Sequence, residues 1–90
     1  MTTDEHLLRA WVTQGDPASF ADLAERHAAL VYGTCRRITG DPHAAEDLTQ
    51  EVLLDLARRA VRVRRSAAGF LHAAARSRAL NHCRDRETRR

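Results

Sequence analysis

Twice in ninety residues the chain spells Gly-Asp-Pro, at positions 15–17 and 40–42. Glycine takes the left-handed backbone that closes a helix. Aspartate then accepts from the first free N–H groups of the next helix, and proline suits its first turn. Each triplet is therefore a stop followed at once by a start. The segments around them are helix-length, with apolar residues three and four apart. Asp4 is placed to cap a first helix to about Gln14, with Leu7, Leu8, Trp11 and Val12 on its apolar side. The second helix starts at Pro17 and carries Phe20, Leu23, Ala24, His27, Leu30, Val31, Cys35 and Ile38 at near-heptad spacing. The third opens at Pro42 and runs to about Ala60. Val61–Ser66, reading VRVRRS, alternates apolar and basic residues, but no partner strand exists elsewhere and it reads as a loop. Ser66 then caps a fourth helix from Ala67 into the arginine-rich end. The fold class that follows is all-α, a compact bundle of about four helices with the second and third antiparallel across a very short turn. The expected organisation is one domain over 1–90: a first helix (1–15), a helical hairpin (16–60), a loop (61–66) and a basic helix (67–90).

The third helix has two distinct sides. With 3.6 residues per turn, Ala45, Leu48, Val52 and Leu56 form a narrow apolar seam. Asp47, Gln50, Glu51 and Leu54 gather nearly opposite, so one leucine sits among acids and an amide. Two readings stand at this point. One is a plain amphipathic helix, since single exposed leucines are common. The other is a helix that packs with one face and offers the other to a partner protein.

Charge divides the chain. All 15 basic residues are arginine, and the net charge of +3 conceals a strong asymmetry. Residues 1–57 hold 4 arginines against 10 acids, whereas residues 58–90 hold 11 against 2. The basic half is a candidate for phosphate contacts, although arginine-rich ends also serve only to solubilise. Arg62, Arg64 and Arg65 precede the fourth helix, and Arg76, Arg78, Arg84, Arg86, Arg89 and Arg90 lie along it. Ser77, Asn81 and Arg84 fall near one face with Phe70 and Ala74. Such a face can meet unpaired bases, or Phe70 can turn into the core beneath solvated neighbours.

Several classes are excluded. No apolar run approaches the roughly 20 residues needed to span a membrane, and the acidic start MTTDEHLL is unlike a secretory signal. Cys35 and Cys83 have no paired spacing, so a cytoplasmic, reduced protein is the simplest inference. Glu46, Asp47 and Glu51 lack the apolar surround that tunes a catalytic carboxylate, and His27 reads as a packed histidine. His72, His82 and Cys83 match no zinc or nucleophile spacing. With no HExxH, glycine-rich phosphate loop or GxSxG, the reading is of no enzyme, no metal centre and no cofactor.

Three strings in order carry a resemblance: FADLAERHAALVY (Phe20–Tyr32), GDPHAAEDLTQEVLLDLARRA (Gly40–Ala60) and FLHAAARSRALNHCR (Phe70–Arg84). Together they resemble the second conserved region of bacterial sigma factors of the extracytoplasmic-function group, over about Asp16 to Arg86. The resemblance implies that the DLTQEV helix docks on the clamp helices of the RNA polymerase largest subunit, through Asp47, Gln50, Glu51 and Leu54. It implies equally that the Val61–Ser66 loop and the helix from Phe70 meet the non-template strand of the promoter −10 element, where a base is flipped into a pocket. The promoter-contacting residues are then Arg62, Val63, Arg64, Arg65, Ser66, Arg76, Ser77, Asn81 and Arg84. This chain departs from the family pattern in a loop about two residues shorter, with Val63 where an aromatic is frequent. Phe70 stands for the usual tryptophan, Ser77 for asparagine and Ala74 for a larger aliphatic residue.

The expected function is a sigma-factor domain that binds polymerase core and recognises and helps melt the −10 element. One alternative is a sigma-like interaction module that binds polymerase, or an anti-sigma factor, without melting DNA. Another is a generic helical reader of duplex DNA. The helix-turn-helix domain that reads the −35 element is expected to be absent from these 90 residues. The chain is then either an excised domain or a stand-alone sigma-like protein.

Overall fold

In a computed structural model, residues 2–63 and 66–89 are described. They form four α-helices: α1 (Asp4–Gln14), α2 (Pro17–Thr39), α3 (Pro42–Arg59) and α4 (Ala67–Thr88). No strand occurs among the described residues. Both Gly-Asp-Pro triplets act as their chemistry dictates. Gly15 and Gly40 close α1 and α2 with φ of 62° and 69°, in the left-handed region. Asp16 accepts from the Ala18 N–H, and Asp41 accepts from those of His43 and Ala44. The two N–H groups at Asp41 hold its carboxyl below the usual carboxylate range.

Two boundaries differ from the pattern. Thr3, not Asp4, caps α1: its backbone is extended and its Oγ1 accepts from the His6 N–H. Asp4 lies inside the first turn, where its carboxylate reaches α2 instead, 2.6 Å from His27 Nε2 and 3.2 Å from Arg26 Nη1. The segment expected as a loop begins with a 3-10 turn, Ala60–Arg62, which continues from α3 before the chain extends at Val63. Arg64 and Arg65 lie outside the described residues. Ser66 caps α4 as expected, accepting from the Gly69 N–H at 3.0 Å.

The core forms where α2, α3 and α4 meet. Leu23, Val31 and Cys35 from α2, Ala45, Leu48, Val52 and Leu56 from α3, and Leu71, Ala75 and Ala79 from α4 are all buried. The α4 contribution, Ala67, Leu71, Ala75 and Ala79, recurs every fourth residue. Mostly alanine, that stripe lets the helix backbone approach its neighbours closely. Cys35 and Cys83 are free thiols, each directed at a backbone carbonyl across the α2–α4 interface; burial pushes the Cys35 thiol up.

α1 crosses the N-terminal half of α2 in the opposite sense. Asp4 meets His27 at one end and Trp11 meets Phe20 at the other, with ring centroids 5.1 Å apart. Trp11 Nε1 also donates to the Ala57 carbonyl at 3.0 Å, which pins α1 to the end of α3. Trp11→Phe keeps the ring contact and removes that hydrogen bond. It is expected to lower unfolding free energy by about 1 kcal/mol in urea denaturation. No loss would mean that α1 is held by its ring contacts and ion pairs alone.

Leu30 departs from the expected core set. It is 55% exposed although its spacing groups it with Leu23 and Val31. α1 begins at Asp4, level with His27, and so does not reach the next turn of α2.

Candidate functional site

The seam of α3 is buried throughout: Ala45, Val52 and Leu56 at 0% exposure and Leu48 at 7%. Asp47, Gln50 and Glu51 on the other side are exposed, and Leu54 is 49% exposed. The four residues singled out for protein contact therefore share one solvent-facing surface. One of them is already engaged, since Glu51 accepts from Arg78 Nη1 on α4 at 3.2 Å.

Arg78 corrects the sequence reading. Its position in the sequence sets it among the arginines free to meet phosphate, but it is the tie between α3 and α4. Nε and Nη2 donate to the two oxygens of Asp55 at 2.6 and 2.9 Å, a bidentate fork, while Nη1 holds Glu51. Asp55 is buried on the edge of the seam, a turn from Glu51. The Arg78 fork, outweighing burial, holds its carboxyl below the usual carboxylate range and pushes the Arg78 pKa further up. A carboxylate whose folded pKa is depressed stabilises the fold at pH values above its unfolded pKa of about 4, and that stabilisation is lost as pH falls through the folded value. The difference in urea midpoint between wild type and Asp55→Asn should be constant from about pH 7 to 5 and shrink below about pH 4. A difference that persists undiminished into strong acid would contradict the bridge.

Beside this tie lies a groove of about 440 Å³, lined by Asp55 and Arg59 of α3, Arg62 and Val63 after it, and Gly69, Phe70, Ala73 and Ala74 of α4. Its wall is apolar, with the half-buried Phe70 ring and Val63, and two arginines and one carboxylate supply its polar groups. Of the promoter-contacting candidates, the structure brings Arg62 and Val63 here. Ser66 is exposed, but its Oγ is occupied by the Gly69 cap. Arg76, Ser77 and Arg84 are exposed along the outer side of α4. Arg84 lies fourteen residues beyond Phe70, about 21 Å along the helix. Asn81 lines another, smaller groove with Leu48, Glu51, Arg78, His82 and Asp85. These candidates thus form a track along α4 rather than one cluster. Arg64 and Arg65 fall outside the described residues.

Sequence reasoning missed Asp55 and Arg59 as groove residues. The available signal was an acid at position 55, immediately before buried Leu56 and three residues after Val52, a place where a solvated charge is not expected.

A two-faced third helix beside a basic, aromatic-lined groove is the arrangement on which comparison with known proteins bears. The model of the sigma-70 region 2 family matches residues 23–89. The chain belongs to that family. It is 37% identical over 60 residues, 67% of this chain, to the ECF RNA polymerase sigma factor SigK of Mycobacterium sp. (strain KMS). It is also 37% identical over 43 residues, 48% of this chain, to the ECF RNA polymerase sigma factor SigW of Bacillus subtilis (strain 168). The matched stretches span 31% and 23% of those relatives' lengths. No solved structure gives a significant match. Among the described residues, no helix of this region 2 domain is long and apolar enough to cross a membrane. No group of three or more His, Cys, Asp or Glu side chains that could hold a metal ion is found among them either.

Proposed function

We propose that this region 2 domain serves transcription initiation by binding RNA polymerase core through α3 and recognising, and helping to melt, the promoter −10 element through the groove and α4. The observation that carries the reading is the division of α3. Its seam is wholly buried, yet Leu54 stands half exposed on the face it shares with Asp47, Gln50 and Glu51, where it takes no part in the buried core. Apolar area set among acids suits a partner helix with complementary basic residues. The groove supplies the second element of the proposal: a ring for stacking and guanidiniums for phosphate, beside a chain segment rich in arginine. A base drawn from the stack would lie against Phe70 with its backbone on Arg59 and Arg62. Nothing in this reading requires chemistry by the domain itself.

With polymerase core present, the chain is expected to bind single-stranded DNA in a sequence-dependent way. Phe70→Ala should weaken that binding by about tenfold, the worth of one stacked base. Core binding without any sequence-dependent DNA binding, even at low salt, would favour an interaction module, such as one held by an anti-sigma partner. That reading draws on Val63 standing where the family often has an aromatic. Tight duplex binding without polymerase would instead favour a duplex reader, which leaves the acidic face of α3 unexplained.

A further inference from the structure

The groove has a polar group that phosphate binding does not explain. Asp55 places a carboxylate in its lining, 12% exposed at the side chain, where the other two charged residues, Arg59 and Arg62, are basic. A lone carboxylate there would repel a nucleic-acid backbone. Here its charge is met by the Arg78 fork, so it faces the groove as a fixed acceptor rather than as a net charge. The fork also limits what the carboxylate can still bind. Each oxygen has two lone pairs, and a bidentate guanidinium uses the parallel pair of them, one per oxygen. The remaining two diverge. They can each take a single N–H, but not a second planar two-donor edge.

We propose that the groove selects a captured base carrying one exocyclic amino group on that edge, cytosine or adenine, through Asp55. The proposal rests on the base-capture reading above and names which bases it would take. The cytosine N4 or adenine N6 amino group donates to the free lone pair of Asp55 while the ring lies on Phe70. The neighbouring ring acceptors are then turned toward the Arg59 and Arg62 side of the groove. Thymine's single N3–H is flanked on both sides by carbonyl oxygens, so bringing it to the carboxylate also sets acceptor against acceptor. Guanine's two-donor edge calls for the parallel lone pairs that Arg78 already holds. Asp55 is thereby a specificity-determining residue, and Arg78 is the positioning residue that sets its geometry.

The test uses the chain assembled with polymerase core and a single-stranded DNA library randomised over about ten positions, selected by binding. One position is expected to enrich cytosine or adenine over both other bases by about tenfold. Replacing that base in the selected DNA by its keto analogue, uracil for cytosine or hypoxanthine for adenine, should weaken binding of the unaltered protein by a similar factor. Asp55→Asn, checked for folding by circular dichroism, should relax the preference at that position alone. Because the analogue swap needs no variant, it decides the matter even if Asp55→Asn unfolds. A captured position that prefers thymine or guanine, or an analogue swap that leaves affinity within about twofold, overturns the role of Asp55 and leaves base capture standing. Enrichment at no position overturns base capture itself, and this inference with it.

Discussion

Leu56→Ala is expected to lower the stability of this domain by about 3 kcal/mol, because it opens a cavity where α2, α3 and α4 meet. Leu56 is at 0% exposure and belongs to the contiguous core with Leu23, Val52 and Leu71. For a domain of this size the loss corresponds to a fall in thermal midpoint of roughly 15 °C. A 90-residue chain has a total stability near the low end of 5–15 kcal/mol, so a large share of its margin disappears. Two residues earlier on the same helix, Leu54→Ala should change stability by less than about 0.5 kcal/mol, since it removes a half-exposed side chain from a surface. Differential scanning calorimetry of the two variants measures the contrast. Equal losses would show that both leucines serve the fold and would remove the basis for calling one of them an interface.

The two faces of α3 were legible in the sequence because helix period alone separates positions 48, 52 and 56 from 47, 50, 51 and 54. The helix ends were legible because Gly-Asp-Pro acts locally, through backbone conformation and the nearest N–H groups. Leu30 was not, since period shows which side of α2 is apolar but not how far the covering helix extends along it. The Asp55–Arg78 fork was not legible either. It joins residues 23 apart on different helices, and until the register of α3 against α4 is known, Arg78 looks like every other arginine in the basic half. The dispersal of the promoter candidates along α4 has a different cause. Ser77, Asn81 and Arg84 share a helical-wheel face with Phe70, but a wheel keeps angle and discards distance along the axis. Asp4 shows a smaller version of the same limit: a residue suited to capping was instead drawn to His27 and Arg26 on the next helix.

The proposal turns on whether the outward face of α3 binds polymerase. Glu51→Arg would test it poorly, because the new guanidinium would also confront Arg78 and disturb the tie between α3 and α4. Leu54→Arg avoids this, since Leu54 is exposed and takes no part in the buried core. It places a bulky charge on the proposed contact face, one turn beyond Gln50 and Glu51. The decisive measurement is the affinity of fluorescently labelled chain for RNA polymerase core, wild type against Leu54→Arg, with the thermal midpoint of each recorded alongside. The expected result is binding weakened by about a hundredfold, as for an apolar anchor residue of an interface, with the thermal midpoint unchanged. Affinity within twofold of wild type in a folded Leu54→Arg protein would contradict the docking role of α3.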